Sequence, residues 1–208
     1  MNISREQWQM VVALLLVAVI STVALGLVSM FTKEPIAHAE RQALMQALMQ
    51  VLPKHNNDPI QDTRTLNLAH QATPITFYYA RNAAHKIQAI AWEVVAPDGY
   101  SGSIHILMAV RPDGSIHAIR ITAHKETPGL GDGIVKNQSW LDSFSNASLS
   151  NRRWHVKKDG GDFDQFTGAT ITPRAVVKAV KAGLEMFKKN QQQLLQAIDT
   201  TAQQGGAA

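Results

Sequence analysis

The 208-residue chain contains no cysteine. Disulfides, zinc–thiolate centres, cysteine-ligated iron–sulfur clusters and thiol catalysis are thereby excluded, and cysteine usage says nothing about compartment. Charged residues make up only 17% and aromatics 6%. The basic residues are scattered and not interleaved with aromatics, which argues against nucleic acid as a partner despite a net charge of +4. None of the eight histidines shows the i, i+4 pairing or carboxylate company of a ligand set, so no metal is expected. Asp159, Asp162 and Asp164 lack the spacing and terminal Glu of a calcium loop. No Gly-x-Gly-x-x-Gly follows a strand pattern, and there is neither a Gly-x-Ser-x-Gly elbow nor a nucleophile–base pair. A dinucleotide fold and hydrolase chemistry are therefore not expected, and no catalytic residue is assigned.

What the chain does have is an uncharged run of 22 residues, Met10 to Phe31. As a helix it is about 33 Å long, enough to cross a bilayer core. Trp8 stands at the expected interface, and Ser21, Thr22, Gly26 and Ser29 are tolerable within a membrane helix. Ala37-His-Ala39 also fits a signal-peptide cleavage site. The apolar run exceeds the about 7 to 15 residues of a signal core, and Arg5 is offset by Glu6, so a retained anchor over 10–31 is the preferred reading. With Arg5 on one side and Lys33 and Arg41 on the other, charge leaves the orientation open.

Residues 32–74 read as a helix and a linker. Leu44, Leu48, Val51 and Leu52 mark the apolar face of a helix from Ile36 to Leu52, stopped by Pro53, and the polar stretch to Pro74 turns at Asn56-Asn57-Asp58-Pro59. Strand patterns follow at Ile75–Tyr79, Ile87–Val95, Ser103–Arg111 and Ile116–Thr122. The last two form a hairpin about Pro112-Asp-Gly-Ser115, with Ile104, Ile106, Met108 and Val110 on one face. Antiparallel strands and a terminal helix predict an α+β domain over 75–190, followed by a Gln/Ala-rich polar tail over 191–208 that extends the helix and then frays.

That helix is predicted to begin with Thr172 as N-cap and Pro173 in the first turn. Val176, Val177, Val180, Leu184 and Phe187 form its buried face, opposite Arg174, Lys178, Lys181 and Lys188. A cation at Arg174 opposes the helix dipole, so an anion is expected beside it. A phosphate near the Thr170 hydroxyl, received by free backbone N–H groups with Arg174 or Lys178, would supply one. Gly168 and Ala169 leave room for a large group to approach.

The run Asp164-Gln-Phe-Thr167-Gly168-Ala169-Thr170 resembles the flavinylation motif of the FMN-binding domain family found in Rnf/Rsx and Na⁺-translocating quinone reductase complexes. The resemblance implies FMN joined by a phosphoester to Thr170, installed by a flavin transferase that uses FAD. Asp164 would be read by the transferase, and Thr167, Gly168 and Ala169 would border the cofactor. Glu126-Thr127-Pro-Gly129-Leu130-Gly131 resembles the family segment that packs around the flavin, with Leu130 against the ring and Thr127 at its polar edge. Pro97-Asp-Gly-Tyr-Ser-Gly102 resembles a supporting segment. The family further implies an electron carrier among other membrane and redox subunits of an ion-translocating complex, in the bacterial inner membrane, with a cytoplasmic N-terminus over 1–9 and a periplasmic domain. On the residues alone, Thr-Gly-Ala-Thr could instead be a bare cap in a bitopic assembly protein without flavin. A secreted ligand-binding domain cleaved after Ala39 also stays open.

Overall fold

A single helix, α1, runs from Arg5 to Val51 in the computed structural model, which describes residues 5–68 and 73–196. The chain divides into two compact units, Met1–Met45 and Gln46–Ala208. In the first, side chains from Trp8 to Phe31 are exposed although almost all are apolar. A helix apolar all round has no preferred inward face in water and suits lipid, and this one is long and apolar enough to cross a membrane. Two of its hydroxyls are satisfied internally: Thr22 and Thr32 donate to the carbonyls of Ala18 and Val28, both at 2.8 Å. The sequence pattern starts a separate helix at Ile36, whereas Pro35 lies inside α1. Proline removes one i→i−4 bond, and the intact turns on both sides carry the helix across it.

The second unit is built on a five-stranded antiparallel sheet in the order β1-β2-β3-β4-β5: Thr63–Leu66, Ile75–Arg81, Ile87–Ala96, Ile104–Val110 and Ile116–Ala123. The β4–β5 turn closes through Arg111 N–H to the Ser115 carbonyl at 2.8 Å, with Gly114 at φ +85°. Ile104, Ile106, Met108 and Val110 share the buried face that their alternation predicts and enter one core with Phe77, Trp92 and Phe187. Helix α4, Ile171–Gln196, covers this face with Val176, Val177, Val180, Leu184 and Phe187. The Trp92 and Phe187 rings stack 5.9 Å apart at 7°, and Tyr79 Oη donates to the Leu194 carbonyl at 3.3 Å. Residues beyond Gln196, where the polar tail is expected to fray, lie outside the described residues.

Strand β1 falls in the stretch that reads from sequence as a linker. Four residues carry too little alternation to be recognised, and the strand exists because β2 pairs with it from Thr63↔Tyr78 to Leu66↔Ile75. The preceding turn is tied to the sheet: Asn57 Nδ2 donates to the Tyr79 carbonyl at 2.8 Å, and Arg81 N–H donates to Asn57 Oδ1 at 2.8 Å. Two short helices, α2 (Gly133–Lys136) and α3 (Gln138–Asp142), lead into the motif loop. The Phe144 ring lies 5.1 Å from Trp140, 4.5 Å from Phe163 and 6.4 Å from Trp154, so the loop is fixed by aromatic packing.

Candidate functional site

Phe166–Ala169 is a four-residue turn closed by Ala169 N–H to the Phe166 carbonyl at 3.1 Å. Its third residue, Gly168, has φ +78°, a backbone state that side chains with a Cβ disfavour. The loop is braced from behind: Trp140 Nε1 donates to the Asp164 carbonyl at 2.8 Å, and the Trp140 and Phe166 rings are 5.4 Å apart. Directly after the turn, Arg174 N–H reaches the Thr170 carbonyl at 3.3 Å, which makes Thr170 the N-cap of α4. The helix thus starts earlier than the Thr-Pro signal suggests. Pro173 falls among the first N–H groups that no helix can satisfy, so its missing donor costs nothing. Among the described residues the N–H groups of Ile171 and Thr172 find no acceptor, and both lie at the positive end of the α4 dipole.

Thr172 is fully buried and serves a different purpose from capping. Its hydroxyl donates to Glu126 Oε2 at 2.6 Å, and Ser101 N–H donates to Glu126 Oε1 at 3.0 Å. Glu126 is 5% exposed and has no cationic partner among the described residues. These two bonds stand in for water around a buried carboxylate. Gly131 is required beside it, because a Cβ there would lie 2.5 Å from Glu126 Oε2 and 3.0 Å from Thr172 Oγ1. The loop Thr127–Asp132 is held by Leu130 N–H to the Thr127 carbonyl at 3.1 Å and Gly129 N–H to Asp132 Oδ1 at 2.8 Å. It turns Leu130 outward, 49% exposed.

These pieces enclose a cleft of about 210 Å³, lined by Glu126, Thr127, Leu130 and Gly131 on one side and by Gly168, Ala169, Thr170 and Thr172 on the other. Tyr100 and Ile171 complete it, 69% and 47% exposed. Tyr100 belongs to the Gly-Tyr-Ser-Gly segment, whereas nothing in the sequence points to Ile171. Sites that enclose a drug-sized ligand run about 300–1,000 Å³. This cleft is too small to enclose a ligand of that size and has room for only part of one, against an apolar rim. Thr167 lies at the exposed tip of the turn and Gly129 in the loop, neither lining the cleft, and Asp164 is exposed and paired with Lys157 at 2.6 Å.

Arg174 and Lys178 do not line the cleft either. The anion that offsets Arg174 is a carboxylate: Nε and Nη2 donate to Asp159 Oδ2 and Oδ1 at 2.6 and 2.8 Å. Lys178 Nζ pairs with Asp98 at 2.5 Å. The α4 dipole calls for an anion beside Arg174, and only the folded loop 15 residues upstream reveals which one answers. Arg174→Gln should lower the melting temperature slightly while ligand loading at the cleft is retained. Loss of loading in a folded variant would restore the phosphate role.

Several carboxylates are held below their ordinary range of about 4. The Arg174 guanidinium does this to Asp159, the Lys136 ammonium to Asp132, the Arg153 N–H to Asp162 and the Ser115 N–H to Asp113. A depressed folded pKa stabilises the fold above the unfolded pKa, and that stabilisation disappears as pH falls through the folded value. The melting temperature should therefore be flat between about pH 5 and 7 and decline below about pH 4, which thermal melts across that range would check. Among the described residues no group of three or more His, Cys, Asp or Glu is arranged to hold a metal ion.

Residues 99–185 match the FMN-binding domain family, and residues 5–51 match the RnfG N-terminal region. The chain is 42% identical over 186 residues to the G subunit of the ion-translocating oxidoreductase complex of Cereibacter sphaeroides, covering 86% of this chain and 84% of that one. It is 41% identical to the corresponding G subunit of Aliivibrio fischeri, covering 88% and 90%, and 43% identical to that of Shewanella loihica, covering 86% and 89%. A crystal structure of Shewanella oneidensis NqrC aligns over 71% of this chain and 73% of that chain with a TM-score of 0.48 and 20% identity.

Proposed function

Because the chain belongs to the family of G subunits of ion-translocating oxidoreductase complexes, we propose that it is a membrane-anchored electron carrier whose FMN is tied through its phosphate to Thr170. FMN held there would supply one- and two-electron transfer between redox partners of the complex. The observation that carries the reading is the position of Thr170: a half-buried hydroxyl residue at the N-cap of a 26-residue helix, inside the cleft.

The residues present fit that group. A phosphate on the Thr170 oxygen would be received by the unpaired N–H groups of Ile171 and Thr172, at the helix end that favours negative charge. Gly168 keeps the approach open, since even a Cβ on it would meet only Leu130 Cδ2, at 3.5 Å. Leu130, Tyr100 and Ile171 offer apolar surface to an aromatic ring system. Glu126, fixed by Thr172 and Ser101, offers a hydrogen-bond acceptor group on the wall of the cleft. A cleft of this size cannot retain a large ligand by burial alone, so a covalent tether answers the need that the shallowness creates.

Asp164, exposed at the start of the motif, is open to recognition by a flavin transferase, and Thr167 at the turn tip is equally accessible. The exposed apolar α1 anchors the chain, with the second unit on the periplasmic side of the inner membrane. Mass spectrometry of the peptide containing Thr170, from cells equipped with the transferase, should find the mass of FMN less one water. An unmodified peptide from a folded protein in those cells would leave an anchored assembly protein without flavin.

A further inference from the structure

Strand β2 is shared out along its length: its first half pairs with β1 and its second half with β3, and the two pairings meet at Tyr78. β2 and β3 pair from Arg81↔Ile87 to Tyr78↔Ala91 and no further. Beyond that point Ile75, Thr76 and Phe77 pair with β1, and Trp92–Ala96 pair with β4. Backbone groups of an antiparallel strand alternate between its two neighbours. Every second residue of Trp92–Ala96 therefore turns its N–H and C=O away from β4, to a side where no described strand pairs with them. Exposed strand edges are normally blunted or covered, and here the bare edge belongs to the central strand.

The two arms part around a cleft of about 590 Å³. Ile75 and Thr76 wall one side, Val94 and Val95 the other, and Ala179, Ala182 and Gly183 of α4 close the floor. Trp92 also lines it, and its buried indole N–H has no acceptor among the described residues. Val95, a large aliphatic side chain on this edge, is 44% exposed. Among the described residues, Glu93 carries the only charge lining the cleft.

We propose that this edge receives an extended segment of another subunit of the complex, added as a strand beside β3. An acyl chain would leave alternate N–H and C=O groups of the edge unpaired, whereas a second backbone matches them one for one. Trp92–Ala96 offers about 16 Å of edge, enough for a short strand. A lining with one acidic and no basic residue among those described selects an uncharged or basic segment over an acidic one. The inference rests on membership of a multi-subunit complex and not on the flavin, so it stands or falls separately from Thr170.

The test uses the whole complex in native membranes, with a photo-crosslinking phenylalanine analogue placed at Val95, at Ala182 and, as a control on the opposite end of the β2–β3 hairpin, at Lys86. Adducts to another subunit should form at Val95 and Ala182 at about ten times the Lys86 level. Adducts within this chain, to a second copy of it, or no more frequent than at Lys86 would overturn the proposal. In parallel, Ala182→Trp fills the cleft from an exposed helix position. This variant should keep its melting temperature and flavin content while co-purification with the other subunits falls about tenfold. Wild-type recovery would count against the site, and if the variant melts early the crosslinks decide alone.

Discussion

Thr170→Ala is expected to abolish flavin that survives denaturation, leaving no in-gel fluorescence where the parent chain is expected to glow. The reason is chemical before it is structural: only an oxygen at this position can form the ester, and alanine has none. The fold should tolerate the change. Thr170 is half-buried, its side chain makes no hydrogen bond among the described residues, and the first helical bond uses its carbonyl, which alanine retains. Losing a hydroxyl at an N-cap position costs about 0.5–2 kcal/mol at most. Melting temperature and flavin content should therefore separate, with a small fall in one and complete loss in the other. Thr170→Ser is the conservative partner and should restore part of the fluorescence. Flavin that persisted through denaturation in the alanine variant would move the attachment point elsewhere, and Thr167, three residues away on the turn tip, would be the next position to examine.

Gly131→Val is expected to give the largest loss of stability at the site. A Cβ there meets Glu126 Oε2 at 2.5 Å, Glu126 Cβ at 2.9 Å and Thr172 Oγ1 at 3.0 Å. Two penalties then combine: overpacking of about 1–3 kcal/mol, and about 1–3 kcal/mol for a buried carboxylate stripped of its donors. Chemical denaturation should show the sum, and flavin loading should fall with it, because Thr172 and Thr170 share the first turn of α4. Gly129→Ala supplies the contrast. That residue has φ +79° and open space around its missing Cβ, so only backbone strain applies, about 1–2 kcal/mol. If the two variants lost equal stability, the buried Glu126–Thr172 contact would not be what holds this loop.

The two results bear on one design. In the proposed reading, a shallow cleft with an apolar rim and a buried carboxylate would position a ligand that it cannot enclose, and the tether would keep the ligand there. Hydrogen bonds brace the segments that form the cleft: Trp140 on the Asp164 carbonyl, Asp132 on the Gly129 N–H, and Glu126 between Ser101 and Thr172.

Much of this is legible along the chain because it depends on near neighbours. An uncharged run longer than a bilayer core must be helical in lipid. The alternation at Ile104, Ile106, Met108 and Val110 fixes which face of β4 is buried, Pro112–Ser115 fixes the turn, and the spacing of Val176, Val180, Leu184 and Phe187 fixes the inner face of α4. The motif from Asp164 to Thr170 is legible as a resemblance to a family segment, and the glycine in it answers a local need, since Gly168 sits at φ +78°. Tertiary structure decided the rest, where a residue's partner is remote. Thr172 carries a capping signal, yet Glu126, 46 residues away, takes its hydroxyl and the helix starts at Ile171. Arg174 calls for an anion that Asp159 provides across a loop, β1 is a strand only because β2 lies beside it, and the gap between β2 and β3 leaves no trace in either strand's own pattern. Local sequence sets backbone preference and burial, whereas the pairing of polar groups over long separations is settled by which surfaces the folded chain brings together.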